Sequence, residues 1–215
     1  MNLQNFSKNN QPTFKYELEY WEKCLFVAGV DEAGRGPLAG PVVAAAVIFP
    51  INSNLVYGIN DSKLLSEKKR EELFVQIIEK ALSVGIGIID NITIDEINIL
   101  NATYKAMNLA INNLKILPEI ALIDGNSFKS GGIKYKNIIK GDKLSISIAA
   151  ASIIAKVTRD RIMSEEIHKE HPFYFFNENK GYGTKKHYKA IEQYGICKYH
   201  RKTFIKRILE DNTLF

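Results

Sequence analysis

Val27-Ala28-Gly29-Val30-Asp31-Glu32-Ala33-Gly34-Arg35-Gly36-Pro37-Leu38-Ala39-Gly40-Pro41 drives an apolar, β-prone run straight into two adjacent acids and then into an arginine framed by glycines. Val27, Val30 and the preceding Leu25 and Phe26 favour a core strand, and the glycines remove side chains where another backbone or a ligand comes close. A core strand that ends in charge needs a partner for that charge. Burying Asp31 and Glu32 unpaired costs several kcal/mol or forces them neutral, so a cation or a hydrogen-bond network is expected to meet them.

Beyond this stretch, strands are expected at 25–31 and 42–49, a helix from the Leu64-Leu65-Ser66-Glu67 cap to about 82, and a strand at 83–90. A helix capped at Thr93 and Glu96 then runs to 113, with short strands at 120–124 and 135–140. A long helix over 143–168 carries Ala149-Ala150-Ala151-Ser152, which permits close approach to a sheet. A short helix over 14–21 precedes the first strand, and two more follow at 185–193 and 203–209. This alternation predicts an α/β domain with helices layered on a mixed sheet. Residues 1–24 read as a polar tail and short helix, 25–172 as the core, and 173–215 as a basic helical extension of the same domain.

At 215 residues, 46% hydrophobic and 25% charged, the chain is expected to be one soluble globular unit with a sizeable core. Its longest apolar runs, 42–49 and 146–155, are too short or too interrupted to span a bilayer. The Asn/Gln-rich start has no secretory core, so a cytoplasmic location is expected. Cys24 and Cys197 have no metal-type spacing and read as free thiols. The net charge of +5 is localised: residues 180–207 hold nine Lys or Arg against one acid, a net +8, while the rest sums to −3. Such a patch suits a phosphate backbone, and Tyr182 is the aromatic within it assigned to stacking.

Asp31, Asp124 and Asp142 each sit at or just past the end of an apolar strand pattern, with Glu32 alongside, as ligands at the edge of an open sheet do. Carboxylates without nearby His or Cys select magnesium or manganese over zinc. Neighbours on a strand face opposite ways, so Asp31 and Glu32 share a site only if the strand twists or ends between them. Taken singly, Asp124 and Asp142 beside glycine also fit ordinary turns. Asp160 rivals Asp142, but eighteen helical residues span about 27 Å, too far for both to serve one site; Asp160 is expected to pair with Lys156 or Arg159.

Asp31-Glu32-Ala33-Gly34-Arg35-Gly36-Pro37 resembles the opening signature of the ribonuclease HII family, the type 2 ribonucleases H. The resemblance continues in order through Asp61-Ser62-Lys63, Leu122-Ile123-Asp124-Gly125, Gly141-Asp142, 148–160, Lys180-Gly181-Tyr182-Gly183-Thr184 and His200-Arg201-Lys202-Thr203-Phe204, covering roughly residues 25 to 206. It implies a ribonuclease H-like mixed sheet with helices on both faces. It also implies that Asp31, Glu32, Asp124 and Asp142 are catalytic acids holding two Mn2+ or Mg2+ ions. By the same resemblance, Gly34, Arg35 and Gly36 contact the 2′-hydroxyl and a phosphate, Tyr182 packs on the sugar just 3′ of the ribonucleotide, and Lys63 lies near phosphates. The implied reaction hydrolyses RNA in RNA/DNA hybrids and incises 5′ to ribonucleotides in duplex DNA, leaving 5′-phosphate and 3′-hydroxyl ends.

Two departures stand out: Asn179 where the family often has histidine, and no proline around Phe204-Ile205-Lys206. A dinucleotide-binding enzyme is disfavoured because the acids precede the glycines and Pro37 follows them. A metal-free nucleic-acid-binding module leaves the acids without a role, since carboxylates repel phosphate. The related ribonuclease HIII family carries an extra N-terminal domain and lacks the arginine; with about two dozen residues before the first strand, the HII form acting as a monomer is expected. The tail at 211–215 is a candidate replication-clamp contact that fits a frayed end equally well.

Overall fold

A computed structural model describes residues 11–23, 25–53, 58–60 and 62–211, with side chains as far as 206. Asp61, Cys24 and most of the expected polar tail and clamp-docking tail lie outside the described residues. Five strands, β1 (Val27–Ala33), β2 (Val42–Ile48), β3 (Ser83–Ile89), β4 (Ile120–Asp124) and β5 (Tyr135–Ile138), form one sheet in the order β3-β2-β1-β4-β5. β1 and β3 pair antiparallel to β2, while β4 lies parallel to both β1 and β5, giving the expected mixed sheet. β2 is buried along its whole length, which explains its unbroken Val/Ala/Ile run.

Two layers of helix cover the sheet. The long helix α4 (Ile146–Arg161), joined by α2 (Glu67–Lys80) and the N-terminal α1 (Lys15–Trp21), packs on the face bearing Val27, Val43, Ala45 and Leu122. The opposite face, with Ala28, Val30, Ala44 and Ile123, is covered by α3 (Asn91–Asn112). α4 lies almost on the backbone of β1: a Cβ at Gly29 would sit 2.1 Å from the carbonyl carbon of Ser147. The three alanines expected to allow this approach are fully buried.

Caps set the helix boundaries. Ser66 accepts from Lys69 N–H as expected, but α3 is capped by Asp90, which accepts from Thr93 N–H, so Thr93 is capped rather than capping. α3 is also not continuous. Asn98 adopts φ +63°, and its side chain accepts from Leu100 and Asn101 N–H, starting a second helical segment. The helix expected from 143 begins only at Ser145, whose hydroxyl accepts from Ile148 N–H, a cap that contributes about 1 kcal/mol. Asp142 therefore lies off the helix, in a 3-10 turn over Gly141–Lys143. Buried Glu17 of α1 accepts from Ser145 Oγ at 2.6 Å and from Ser147 N at 3.0 Å, anchoring that corner to the N-terminal segment.

Past Arg161 the chain makes a π-helical turn (Ile162–Ile167) and runs through α5 (His168–Glu170), a 3-10 turn over Pro172–Tyr174, and α6 (Phe176–Asn179). The expected α7 (Lys185–Tyr194) and α8 (Lys202–Asp211) follow. α5, α6 and the 3-10 turn were not legible as separate elements. They are single turns packed around buried Tyr174, Phe176, Met163 and Ala39, with no periodicity of their own. Among the described residues no helix is long and apolar enough to cross a membrane.

Candidate active site

The last parallel pairing between β1 and β4 joins Val30 to Ile123, so Asp31 and Asp124 follow side by side at the carboxyl ends of adjacent strands. On its other flank β1 stays paired with β2 as far as Ala33. Residues 31–33 thus project past β4 along an open edge, and that is how Asp31 and Glu32, on opposite faces of the strand, both reach one cavity. The cavity measures about 600 Å³ and is walled by Asp31, Glu32, Asp124, the Gly34–Gly36 loop, Lys63 and Tyr182. Ser152 of α4 hydrogen-bonds Asp31 and lies 2.9 Å from Ser62 Oγ.

Asp31 is only 5% exposed, and burial, then the charges of Glu32 and Asp124, hold its carboxyl well above the usual range. Burial also raises Glu32, against the lowering effect of Arg35, whose Nη1 lies 3.3 Å from Glu32 Oε1. Asp124 Oδ1 accepts from Gly141 N–H at 2.6 Å. Asp142, the next residue, is buried in the same turn but does not line the cavity with the other three acids. Among the described residues no three His, Cys, Asp or Glu side chains already close into a cage. The donor chemistry nevertheless fits a hard divalent cation: burial, with the neighbouring charges, holds the Asp31 and Glu32 carboxyls above their ordinary range, and a cation relieves that cost.

Two buried arginines shape the loop that follows β1. Arg201 donates to the carbonyl oxygens of Gly34 (2.6 Å), Arg35 (3.0 Å), Pro37 (2.8 Å), Gly40 (2.9 and 3.0 Å) and Pro41 (3.2 Å). Arg159 donates to Pro41, Ala39 and Lys180 carbonyls, joining the loop to the segment that carries Tyr182. Gly34 is at φ +97°, and a Cβ there would fall 2.1 Å from Arg159 Nε, so the position takes only glycine. A trans peptide points its C=O and the next N–H in opposite directions. With the carbonyls of Gly34 and Arg35 turned inward to Arg201, the N–H groups of Arg35 and Gly36 are turned away from it. The Tyr182 ring, 42% exposed, stands opposite Gly36, where a Cβ would be 3.8 Å from its Cε1.

The Tyr182 segment has a second tether. His187 Nδ1 lies 2.9 Å from the Tyr182 carbonyl, and His200 Nδ1 accepts from Cys197 N–H at 2.9 Å. These contacts fix both tautomers, so the 3.0 Å contact between the two Nε2 atoms is His200 N–H donating to a neutral His187. Both histidines are fully buried, which the sequence reading did not establish. It did not identify the arginines: Arg201 was counted in the basic patch, yet it faces carbonyls rather than solvent. Lys63 lines the cavity, and its loop is held by Arg70 Nη1, which donates to the Ser62 and Leu65 carbonyls. Asp160 pairs with Lys156, one of its two expected partners, at 2.7 Å.

A family model described as Ribonuclease HII matches residues 28–208. A Ribonuclease HII from Acetivibrio thermocellus is 53% identical over 216 residues, covering 94% of this chain and 84% of that protein. Among solved structures, the ribonuclease H2 from Pyrococcus horikoshii OT3 superposes with a TM-score of 0.70 at 28% identity, covering 89% of this chain and 100% of that one. The PCNA:RNase HII complex from Archaeoglobus fulgidus gives a TM-score of 0.68 at 27% identity, covering 83% of this chain and 94% of the matched one.

Proposed function

The chain belongs to the ribonuclease HII family and is a metal-dependent endoribonuclease acting on RNA/DNA hybrids, and we propose that it also nicks duplex DNA on the 5′ side of single embedded ribonucleotides, using Asp31, Glu32, Asp124 and Asp142. The observation that carries this reading is the adjacency of Asp31 and Asp124 at the ends of two parallel strands, in one cavity with Glu32, the Gly34–Gly36 loop and Tyr182.

Asp31, Glu32 and Asp124 of the cavity, together with Asp142 from the adjoining turn, would hold two magnesium or manganese ions, which when bound would supply the Lewis acidity that activates water and neutralises the departing 3′ oxygen. The residues of the chain position the substrate for that chemistry. Asp31, fixed by Ser152 and by Glu32 N–H at 2.7 Å, and Asp124, fixed by Gly141 N–H, are held rigid before substrate arrives. The outward N–H groups of Arg35 and Gly36 meet the 2′-hydroxyl of the ribonucleotide, and the Arg35 guanidinium exchanges Glu32 for a phosphate oxygen. A site built to hydrogen-bond a hydroxyl rejects an analogue lacking it by on the order of 10⁴. Tyr182 packs on the next sugar, where a 2′-hydroxyl is disfavoured, so the ribo-to-deoxyribo junction sets the register, and Lys63 contacts a flanking phosphate.

Water attacks phosphorus in line, the P–O3′ bond breaks, and the 3′ oxygen takes up a proton. The ribonucleotide keeps the 5′-phosphate and the upstream strand keeps the 3′-hydroxyl. The basic segment over 180–207, as an extension of the catalytic domain, tracks the duplex flanking the cut. We place the enzyme in the cytoplasm as a monomer that meets ribonucleotide-containing DNA in excision repair. A clamp contact through the C-terminal residues is part of the proposal, since one structural neighbour is a PCNA:RNase HII complex. Incision of a duplex carrying one ribonucleotide, present with magnesium or manganese and abolished by chelator, tests the reading; an enzyme that cuts an all-DNA duplex equally well refutes it.

A further inference from the structure

We infer that Lys156 is a phosphate-binding residue of the cleft, held by Asp160, and that it takes the phosphodiester on the 3′ side of the ribonucleotide. This rests on the proposed function, because it uses the register set by Asp31 and Tyr182. Ser152, Lys156 and Asp160 are spaced four residues apart on α4 and therefore form one stripe along the helix. Ser152 touches Asp31, and Lys156, one turn or about 6 Å further along the axis, lines the same cavity with its Nζ 5.9 Å from the centre of the Tyr182 ring. The ammonium thus stands between the position of the scissile phosphate and the ring that receives the following sugar. A phosphodiester linking those two points passes beside it.

Asp160 fixes the direction of the ammonium. Its Oδ1 lies 2.7 Å from Lys156 Nζ and its Oδ2 4.0 Å from Arg70 Nη2, and it is buried. One carboxylate here faces two cations, so this wall carries a net positive charge beside a cavity whose opposite wall is acidic. An ammonium that served only to neutralise Asp160 would be redundant with Arg70. Arg70 also holds the loop bearing Lys63, so Asp160 acts as a positioning residue for both lysines, one directly and one through Arg70.

The test is the binding of a 5′-labelled DNA duplex carrying one ribonucleotide, followed by fluorescence anisotropy in EDTA from low to high NaCl, for wild type, Lys156→Met, Lys156→Arg and Asp160→Asn. A lysine on a phosphate contributes about one to the slope of log K against log salt. Lys156→Met should therefore flatten the slope by about one, Lys156→Arg should restore it, and KM of the Met variant should rise more than its kcat falls. Asp160→Asn, which keeps the ammonium but frees it, should keep the wild-type slope with weaker binding. An unchanged slope in Lys156→Met, with only a lower melting temperature, would overturn the inference, and tighter binding by Asp160→Asn would overturn the positioning role. If the wild type cleaves all-DNA duplex as readily as the ribonucleotide-containing one, the proposed function fails, whereas the slope comparison still decides whether Lys156 meets phosphate.

Discussion

Arg201 donates Nη2–H to the carbonyl of Gly34 at 2.6 Å across 167 positions of sequence, and the same guanidinium reaches four further carbonyls of the loop that follows β1. Its planar fork satisfies oxygens lying in several directions, which a lysine ammonium cannot. Arg201→Lys should therefore cost about 3 kcal/mol of stability in urea unfolding, because buried carbonyls lose their donors. The same variant should cut ribonucleotide-containing and all-DNA duplexes with a reduced preference, since the outward N–H groups of Arg35 and Gly36 are no longer held in place.

The His187–His200 contact gives the fold an acid limit. Burial, then the neighbouring His187, pushes His200 down to about 4, and burial lowers His187 as well, so both are neutral in the fold. The unfolded chain takes up these protons near pH 6.5, so the folded state loses stability as pH falls from about 6.5 toward 4, with no effect above that window. Thermal unfolding of wild type against His200→Asn should show a difference that shrinks as the pH drops through this range. A pH-independent difference would remove the pair from the account.

The strand-to-acid transition at 27–32 was readable because burial and charge collide within six residues, and so were the mixed sheet and the convergence of Asp31, Glu32 and Asp124 on one cavity. What stayed hidden depends on contacts distant in sequence. Asp90 rather than Thr93 caps α3 because either spacing fits a cap, and only the chain path decides between them. The break at Asn98 comes from one residue in a left-handed conformation within an apolar helical pattern. Arg159 and Arg201 look like surface charges in a list of residues, since, apart from Lys180, the carbonyls that solvate them lie 118 to 167 positions away. The sequence could not place Asp142 relative to the cavity, because the 3-10 turn that carries it is only three residues long.

The crowding of carboxylates predicts a trade between activity and stability. Burial, then the charges of Glu32 and Asp124, hold the Asp31 carboxyl above its ordinary range in the fold, so without metal its ionisation costs stability as pH rises above the ordinary carboxylate range. Asp31→Asn should abolish cleavage and raise the melting temperature in EDTA by a few degrees. Added magnesium or manganese should stabilise wild type and narrow the gap. A variant no more stable than wild type in EDTA would contradict the electrostatic description of the site.

The seating of α4 on β1 is equally open to test. Gly29→Ala places a methyl 2.1 Å from the Ser147 carbonyl carbon, where backbone meets backbone and neither side can swing away. The expected cost is about 1–3 kcal/mol by denaturant unfolding. Activity should fall as well, because Ser152 moves with the helix away from Asp31.

The most direct measurement is the position and end chemistry of the nick in a duplex with a single ribonucleotide, mapped for wild type and Asp124→Asn with magnesium or manganese and with chelator. One metal-dependent incision immediately 5′ of the ribonucleotide, leaving 3′-hydroxyl and 5′-phosphate ends, is expected for wild type, and none with chelator or with Asp124→Asn. Incision on the 3′ side, or an unimpaired nick by Asp124→Asn, would contradict it.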